Sequence, residues 1–127
     1  MRVAIEQDSP RVIGVRLEGR LSHADWQAAL KDVARHLVPE RQSSILIDAN
    51  AFEGFEPGEW DDLWFQLKHD AWISRIAIVG PPQWEDRILM FAGQGLRPME
   101  IRYFTPTQAQ QARDWAAAGE HAEAGEP

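Results

Sequence analysis

Ser44-Ile45-Leu46-Ile47-Asp48-Ala49 is the stretch of sequence that decides the fold. A short, unbroken apolar run between polar residues is typical of a strand covered on both faces, as in the centre of a parallel sheet. The run from Arg75 to Gly80 is equally apolar between its ends and is closed by two prolines. We therefore predict two buried strands of an α/β sheet.

Strand-like and helix-like patterns alternate on both sides of these runs. In chain order we first predict strands at 3–5 and 12–17, a helix opened by Ser22 and stopped by Pro39, and the strand at 44–49. A loop at 50–57, a helix at 57–73 and the strand at 75–80 follow. The chain then continues with a helix from about Gln83, a strand at 100–104 and a last helix through Trp115. The short break between the first two strands indicates an antiparallel hairpin. The order β-β-α-β-α-β-α-β-α predicts an open, mostly parallel five-stranded mixed sheet flanked by helices.

Composition limits the classes of function. The 127 residues carry a net charge of −7, which argues against nucleic-acid binding, and they include no cysteine, which excludes disulfides and thiolate chemistry. We expect one domain at 1–118 and a flexible acidic tail at 119–127. With no leader and no apolar run long enough to span a membrane, the predicted location is cytoplasmic.

Catalytic and metal-binding motifs are missing from the sequence. It has no nucleophile elbow, no phosphate-binding loop and no pair of histidines at zinc-binding spacing. Asp61, Asp62 and His69 suggest a metal or acid–base group, but their spacing on a helix favours a solvated acidic face. We expect no enzymatic activity, no metal and no cofactor.

The helix at 57–73 is unusually aromatic. Trp60, Leu63, Trp64 and Leu67 form one core-facing stripe, whereas Phe65 and Trp72 fall on a different face. Either the rings of Phe65 and Trp72 pack in a thick core, or they meet a ligand, a partner subunit or a membrane interface. Because the same helix is acidic, any membrane contact would be hydrophobic rather than electrostatic.

Asp48 and Asn50 follow the central strand, at the end where open α/β sheets usually place a ligand crevice. Either residue could anchor a polar head group there. The alternative is that Asp48 accepts hydrogen bonds from nearby backbone amides, as aspartate readily does.

Several short motifs in this order resemble the SpoIIAA-like family of small bacterial proteins, which is also labelled STAS/SEC14-like. They are Gly19-Arg20-Leu21-Ser22, Ile47-Asp48, Phe52-Glu53-Gly54-Phe55, Trp60-Asp61-Asp62-Leu63, Lys68-His69, Arg75 to Gly80 with Trp84, and Arg102-Tyr103-Phe104. The resemblance implies a small binding module for a non-polar or lipid-like ligand near the helices after the central strand. It also implies peripheral contact with the inner membrane, and it brings no enzymatic activity.

One feature departs from the anti-sigma-factor antagonists of the same fold, which carry a phosphorylated Ser or Thr after the central strand. Here the corresponding stretch, Ala51 to Glu59, has no hydroxyl residue. A phosphoserine switch needs an acceptor to which about two negative charges can be added. We therefore predict that this chain lacks that switch.

Two hypotheses follow. In the first, a cleft between the second and third predicted helices binds a non-polar molecule, with a polar anchor at its mouth. The predicted site residues are Asp48, Asn50, Phe52, Phe55, Trp60, Trp64, Phe65, Trp72, Trp84 and Phe91. In the second, the same aromatic residues are buried in a homodimer or against a regulatory partner protein, and there is no small ligand.

Overall fold

The computed structural model describes residues 2–57 and 68–124. Its strands are β1 (Arg2–Ser9), β2 (Val12–Leu21), β3 (Ser43–Phe55), β4 (Ile73–Val79) and β5 (Glu100–Phe104). The helices in these residues are α1 (His23–His36), α2 (Glu85–Ala92) and α3 (Ala109–Ala124). Single 3-10 turns, Pro82–Trp84 and Pro106–Gln108, precede α2 and α3.

The five strands form one sheet in the order in which they occur along the chain, β1-β2-β3-β4-β5. β1 pairs with β2 antiparallel, and every later pair is parallel. The predicted fold class, a mixed and mostly parallel α/β sheet with an antiparallel hairpin at one edge, is confirmed.

Helices cover both faces of the sheet. Leu30 and Val33 of α1 and Ile88 of α2 pack into the larger core, on one face. Ala112 and Ala116 of α3 pack into a smaller core on the other face. Alternate residues of β3 serve both cores, which explains why its sequence is apolar without interruption.

The predicted loop at 50–57 is wrong over most of its length, because β3 continues to Phe55. The prediction that β2 ends near Leu17 is wrong for the same reason, since β2 runs to Leu21 and pairs with this extension of β3. The sequence pattern concealed the pairing because Gly19, Glu53 and Gly54 interrupt the apolar alternation that marks a strand.

Two β-bulges produce that interruption. The register passes from Arg16 opposite Asp48 to Glu18 opposite Ala51, and from Gly19 opposite Phe52 to Arg20 opposite Gly54. The second shift leaves Glu53 without an opposite residue. An extra residue reverses the inward and outward alternation beyond it. Phe55 therefore faces the same core as Phe52.

The predicted helix at 57–73 lies mainly outside the described residues, which resume at Lys68. Lys68 and His69 are helical, Asp70–Trp72 forms a 3-10 turn, and β4 already begins at Ile73. The predicted start of this strand at Arg75 is therefore two residues late. At the other end of the chain α3 runs to Ala124, into the segment predicted as a tail, and the boundary at 118 stays a prediction.

Candidate functional site

An apolar pocket lies between α1 and α2, above the middle of the sheet. Its volume is about 140 Å³. The residues lining it are Val15, Leu17, Trp26, Leu30, Val33, Ile45, Ile47, Phe52, Phe55, Ile76, Ile78, Ile88, Phe91, Ala92 and Arg97. All but the last are hydrophobic, so the pocket suits a non-polar occupant.

Three parallel strands form the floor of the pocket. Val15 lies opposite Ile47 of β3, and Ile47 in turn lies opposite Ile78 of β4. These three side chains are at most 9% exposed. β-branched residues have few rotamers. The floor is therefore stiff, and an occupant would meet a fixed surface.

Aromatic rings form a continuous row along one side. Trp26 contacts Phe91 edge-on at 5.3 Å between centroids, and Phe91 lies 4.7 Å from Phe55. Phe55 contacts Phe52 at 4.9 Å, and Phe52 contacts Trp84 at 5.1 Å. Edge-to-face pairs at these separations stabilise by about 0.5–1.5 kcal/mol each beyond the area that they bury. The row joins α1, β3 and the segment that leads into α2.

Gly54 lies beside the Trp84 ring at the end of this row. Its backbone φ of +126° is one that residues with a side chain rarely adopt. A Cβ atom added there would lie 3.4 Å from Cη2 of the Trp84 ring, an ordinary contact distance. The backbone conformation at the bulge that turns Phe55 inward therefore favours glycine.

Arg97, the one charged residue among the described residues that line the pocket, belongs to a largely buried ion pair. The guanidinium of Arg97 donates from Nε to Oδ2 of Asp70 at 3.0 Å and from Nη2 to Oδ1 at 2.5 Å. The two side chains are only 10% and 13% exposed. Arg97 also donates to the carbonyl oxygen of Ala92, the last residue of α2. Since each of its three nitrogens donates a hydrogen bond within the protein, Arg97 acts as part of the wall.

The structure brings together some of the predicted site residues and separates others. Phe52, Phe55 and Phe91 line the pocket, and Trp84 packs on Phe52. Trp72 packs against the core and contacts His69 at 5.1 Å, and it does not line the pocket. The predicted residues Trp60, Trp64 and Phe65 lie outside the described residues.

Asp48 and Asn50 are not among the lining residues. The carboxylate of Asp48 accepts a hydrogen bond of 3.0 Å from the backbone N–H of Asn50, across the first bulge. Its other oxygen lies 3.8 Å from Nε of Arg16. This is the local backbone bond that the sequence offered as the alternative role for Asp48.

The sequence did not indicate the wall that α1 contributes. The predicted cleft lay between the second and third predicted helices, whereas Trp26, Leu30 and Val33 of α1 face α2 across the described pocket. The i, i+4, i+7 spacing of these residues showed that α1 buries one face. It did not show which element that face would meet.

The described residues contain neither a metal-binding cluster nor a membrane-spanning helix. In the described residues no three His, Asp or Glu side chains are grouped closely enough to hold a metal ion. No helix among them is both long and apolar enough to cross a membrane. The pocket offers hydrophobic contact and aromatic faces.

Comparison with known proteins places the chain in a family. The SpoIIAA-like family model matches residues 12–117. The chain belongs to the SpoIIAA-like family. The match begins with β2, includes the whole pocket and ends within α3. No curated protein matches the sequence.

Solved structures share the SpoIIAA-like fold. An uncharacterized protein from Shewanella loihica with a SpoIIAA-like fold is 24% identical, with a TM-score of 0.68 over 91% of this chain and 92% of that one. The anti-sigma factor antagonist SpoIIAA in its unphosphorylated form is 12% identical, with a TM-score of 0.57 over 89% and 98%. The phosphorylated Bacillus cell fate determinant SpoIIAA is 15% identical, with a TM-score of 0.54 over 87% and 97%. At these identities the likeness establishes the fold alone.

Proposed function

We propose that this SpoIIAA-like protein is a non-catalytic binding module that holds a non-polar small molecule between α1 and α2. The observation that supports the proposal is the pocket itself, whose lining is hydrophobic apart from the ion-paired Arg97. An apolar cavity of this kind is poorly hydrated, so a non-polar ligand displaces little bound water. Filling the cavity restores dispersion contacts that the lining atoms lack.

The volume limits the size of the ligand. A cavity of about 150 Å³ in another protein holds a benzene molecule. The 140 Å³ here would therefore take one ring or an alkyl segment of about six carbons. Burying six methylene groups contributes roughly 5 kcal/mol before the entropic cost of association. Because that cost must be subtracted, we expect a dissociation constant of about 1 mM or weaker for such a fragment.

NMR spectroscopy of uniformly labelled protein tests the proposal. After unfolding and refolding to remove any co-purified lipid, titration with octan-1-ol should shift the methyl resonances of Ile47, Ile78 and Ile88, which line the pocket. Native mass spectrometry before refolding would show whether a ligand co-purifies.

Substitution of Ala92 supplies the matched variant. Ala92 lines the pocket from α2, so Ala92→Leu places a larger side chain in the cavity and should weaken octanol binding at least about fivefold. Ala24→Leu, at an exposed position of α1, is the control and should bind as the natural chain does. Unchanged methyl resonances at saturating octanol would refute the proposal.

A second candidate function is protein–protein interaction. Met90 of α2 and Leu96 just beyond it are 81% and 90% exposed, the large hydrophobic residues that the described chain leaves in solvent. Where exposed apolar side chains form a patch, they often mark a contact surface. This candidate is compatible with ligand binding, because neither residue lines the pocket.

A further inference from the structure

Arg87 lies on the aromatic row beside the pocket. Its guanidinium carbon is 5.3 Å from the centroid of Trp84 and 5.9 Å from that of Phe55, a lining residue. The residue is exposed, one turn before Phe91 on the same helix. Stacking on two rings holds the guanidinium in place while its N–H donors remain accessible to solvent.

Arg20 approaches Phe55 by a different route. Its Nη2 donates to the Phe55 carbonyl oxygen at 3.3 Å, and the residue is exposed. The Arg87 guanidinium therefore lies over the ring of Phe55, and the Arg20 guanidinium lies at the backbone carbonyl of the same residue. Both belong to the end of the sheet where β3 finishes.

Four arginines in the described residues pair with carboxylates. Arg16 pairs with Asp48, Arg35 with Asp32, Arg97 with Asp70 and Arg102 with Glu100. No carboxylate within the described ranges pairs with Arg87 or Arg20. These two cations are thus available to an external anion beside the apolar pocket.

Building on the proposed function, we propose that the ligand is an anionic amphiphile. Its alkyl part occupies the pocket, and its carboxylate or phosphate lies outside, on the guanidinium of Arg87, with Arg20 as a second cation. Guanidinium is suited to both head groups because its planar donors match their oxygens. The net charge of −7 does not oppose this, because salt at physiological strength screens charges beyond about 8 Å.

The test compares four probes that have the same eight-carbon chain. Octanoate, octyl phosphate, octan-1-ol and octylammonium are titrated as monomers at physiological ionic strength, with binding measured by calorimetry. An exposed ion pair contributes modestly, so octanoate should bind about three- to tenfold more tightly than octan-1-ol, and octylammonium more weakly than octan-1-ol. Tighter binding of octyl phosphate than of octanoate would identify phosphate as the preferred head group.

The ratio of the octanoate and octan-1-ol affinities is the readout, because it cancels changes in the pocket. Arg87→Ala should bring this ratio to about one, and Arg87→Lys, which keeps the charge, should retain part of the preference. Arg41→Ala is the control: it removes an exposed arginine that precedes β3, whereas Phe55 ends that strand. The ratio in this variant should equal that of the natural chain.

The outcomes separate this inference from the proposed function. If octan-1-ol and octanoate bind equally, or if Arg87→Ala leaves the ratio unchanged, the anionic head group is refuted while the pocket stands. If none of the four probes binds, the proposed function fails as well.

Discussion

Tyr103 is the one tyrosine in the sequence, and its hydroxyl is held inside the structure. The hydroxyl donates to the carbonyl oxygen of Pro81 at 2.7 Å, which ties β5 to the loop before α2. Burial, helped by the negative charge of Glu85, raises the pKa of Tyr103 to about 12 from its ordinary value of 10.

Alkaline titration tests this at the residue scale. Because the folded state holds the phenol proton more tightly, Tyr103 stabilises the fold below pH 10, and that contribution is lost as the pH rises from about 10 to 12. Absorbance of the phenolate should give a pKa near 12 in the folded protein and near 10 in urea. Tyr103→Phe should remove the part of the stability loss that occurs in this pH interval. A folded-state pKa of 10 would contradict the prediction.

The residues of the pocket differ in how far the sequence revealed them. Phe52 and Phe55 were predicted from their position after the central strand, and Phe91 from the core-facing side of the helix that begins at about Gln83. Arg97 was not, since its pairing with Asp70 joins residues 27 positions apart. Contacts over such separations depend on the packed fold.

At the scale of elements, a buried serine fastens α3 to the sheet. Ser44 of β3 is fully buried and donates from Oγ to the carbonyl oxygen of Ala116 at 2.7 Å. Oγ of Ser44 also lies 2.8 Å from Oγ of Ser74 on β4. A single hydroxyl therefore links two neighbouring strands and the helix that covers them.

Removing this hydroxyl should destabilise the protein. Ser44→Ala leaves buried polar partners without their hydrogen bond, so the free energy of unfolding should fall by about 1–3 kcal/mol. The measurement is urea denaturation, in which the midpoint should fall while the slope stays constant. Ser43→Ala is the matched control, because Ser43 is also buried but its hydroxyl makes no hydrogen bond within the described residues. Equal losses from both variants would contradict the proposed role of Ser44.

The elements themselves followed from local pattern. Apolar runs predicted β3 and β4, and the stripe from Trp26 to Leu37 predicted α1, because burial imposes these periods on each segment separately. The ends of β2 and β3 were missed. Pairing between those two strands extends both of them through glycines that isolated patterns treat as breaks.

At the scale of the whole molecule, self-association through the exposed Met90 and Leu96 can be tested by sedimentation. The interaction candidate predicts that the natural chain sediments as a dimer at tens of micromolar and that Met90→Ser with Leu96→Ser sediments as a monomer. Both positions are exposed, so the double variant should keep the circular dichroism spectrum of the natural chain. A monomeric natural chain at 100 micromolar would exclude a homodimer through this surface.

The sequence by itself determined the buried strands, the amphipathic helices, their alternation and the absence of an acceptor for a phosphoserine switch. These properties depend on the period and composition of short segments, which the sequence shows directly. Only the tertiary structure decided that two bulges turn Phe55 toward Phe52, that α1 forms one wall of the pocket and that Arg87 lies over Phe55. Each of these depends on the register of the strands and on which surfaces meet in the packed fold. Both are fixed by contacts between residues that are distant in the sequence.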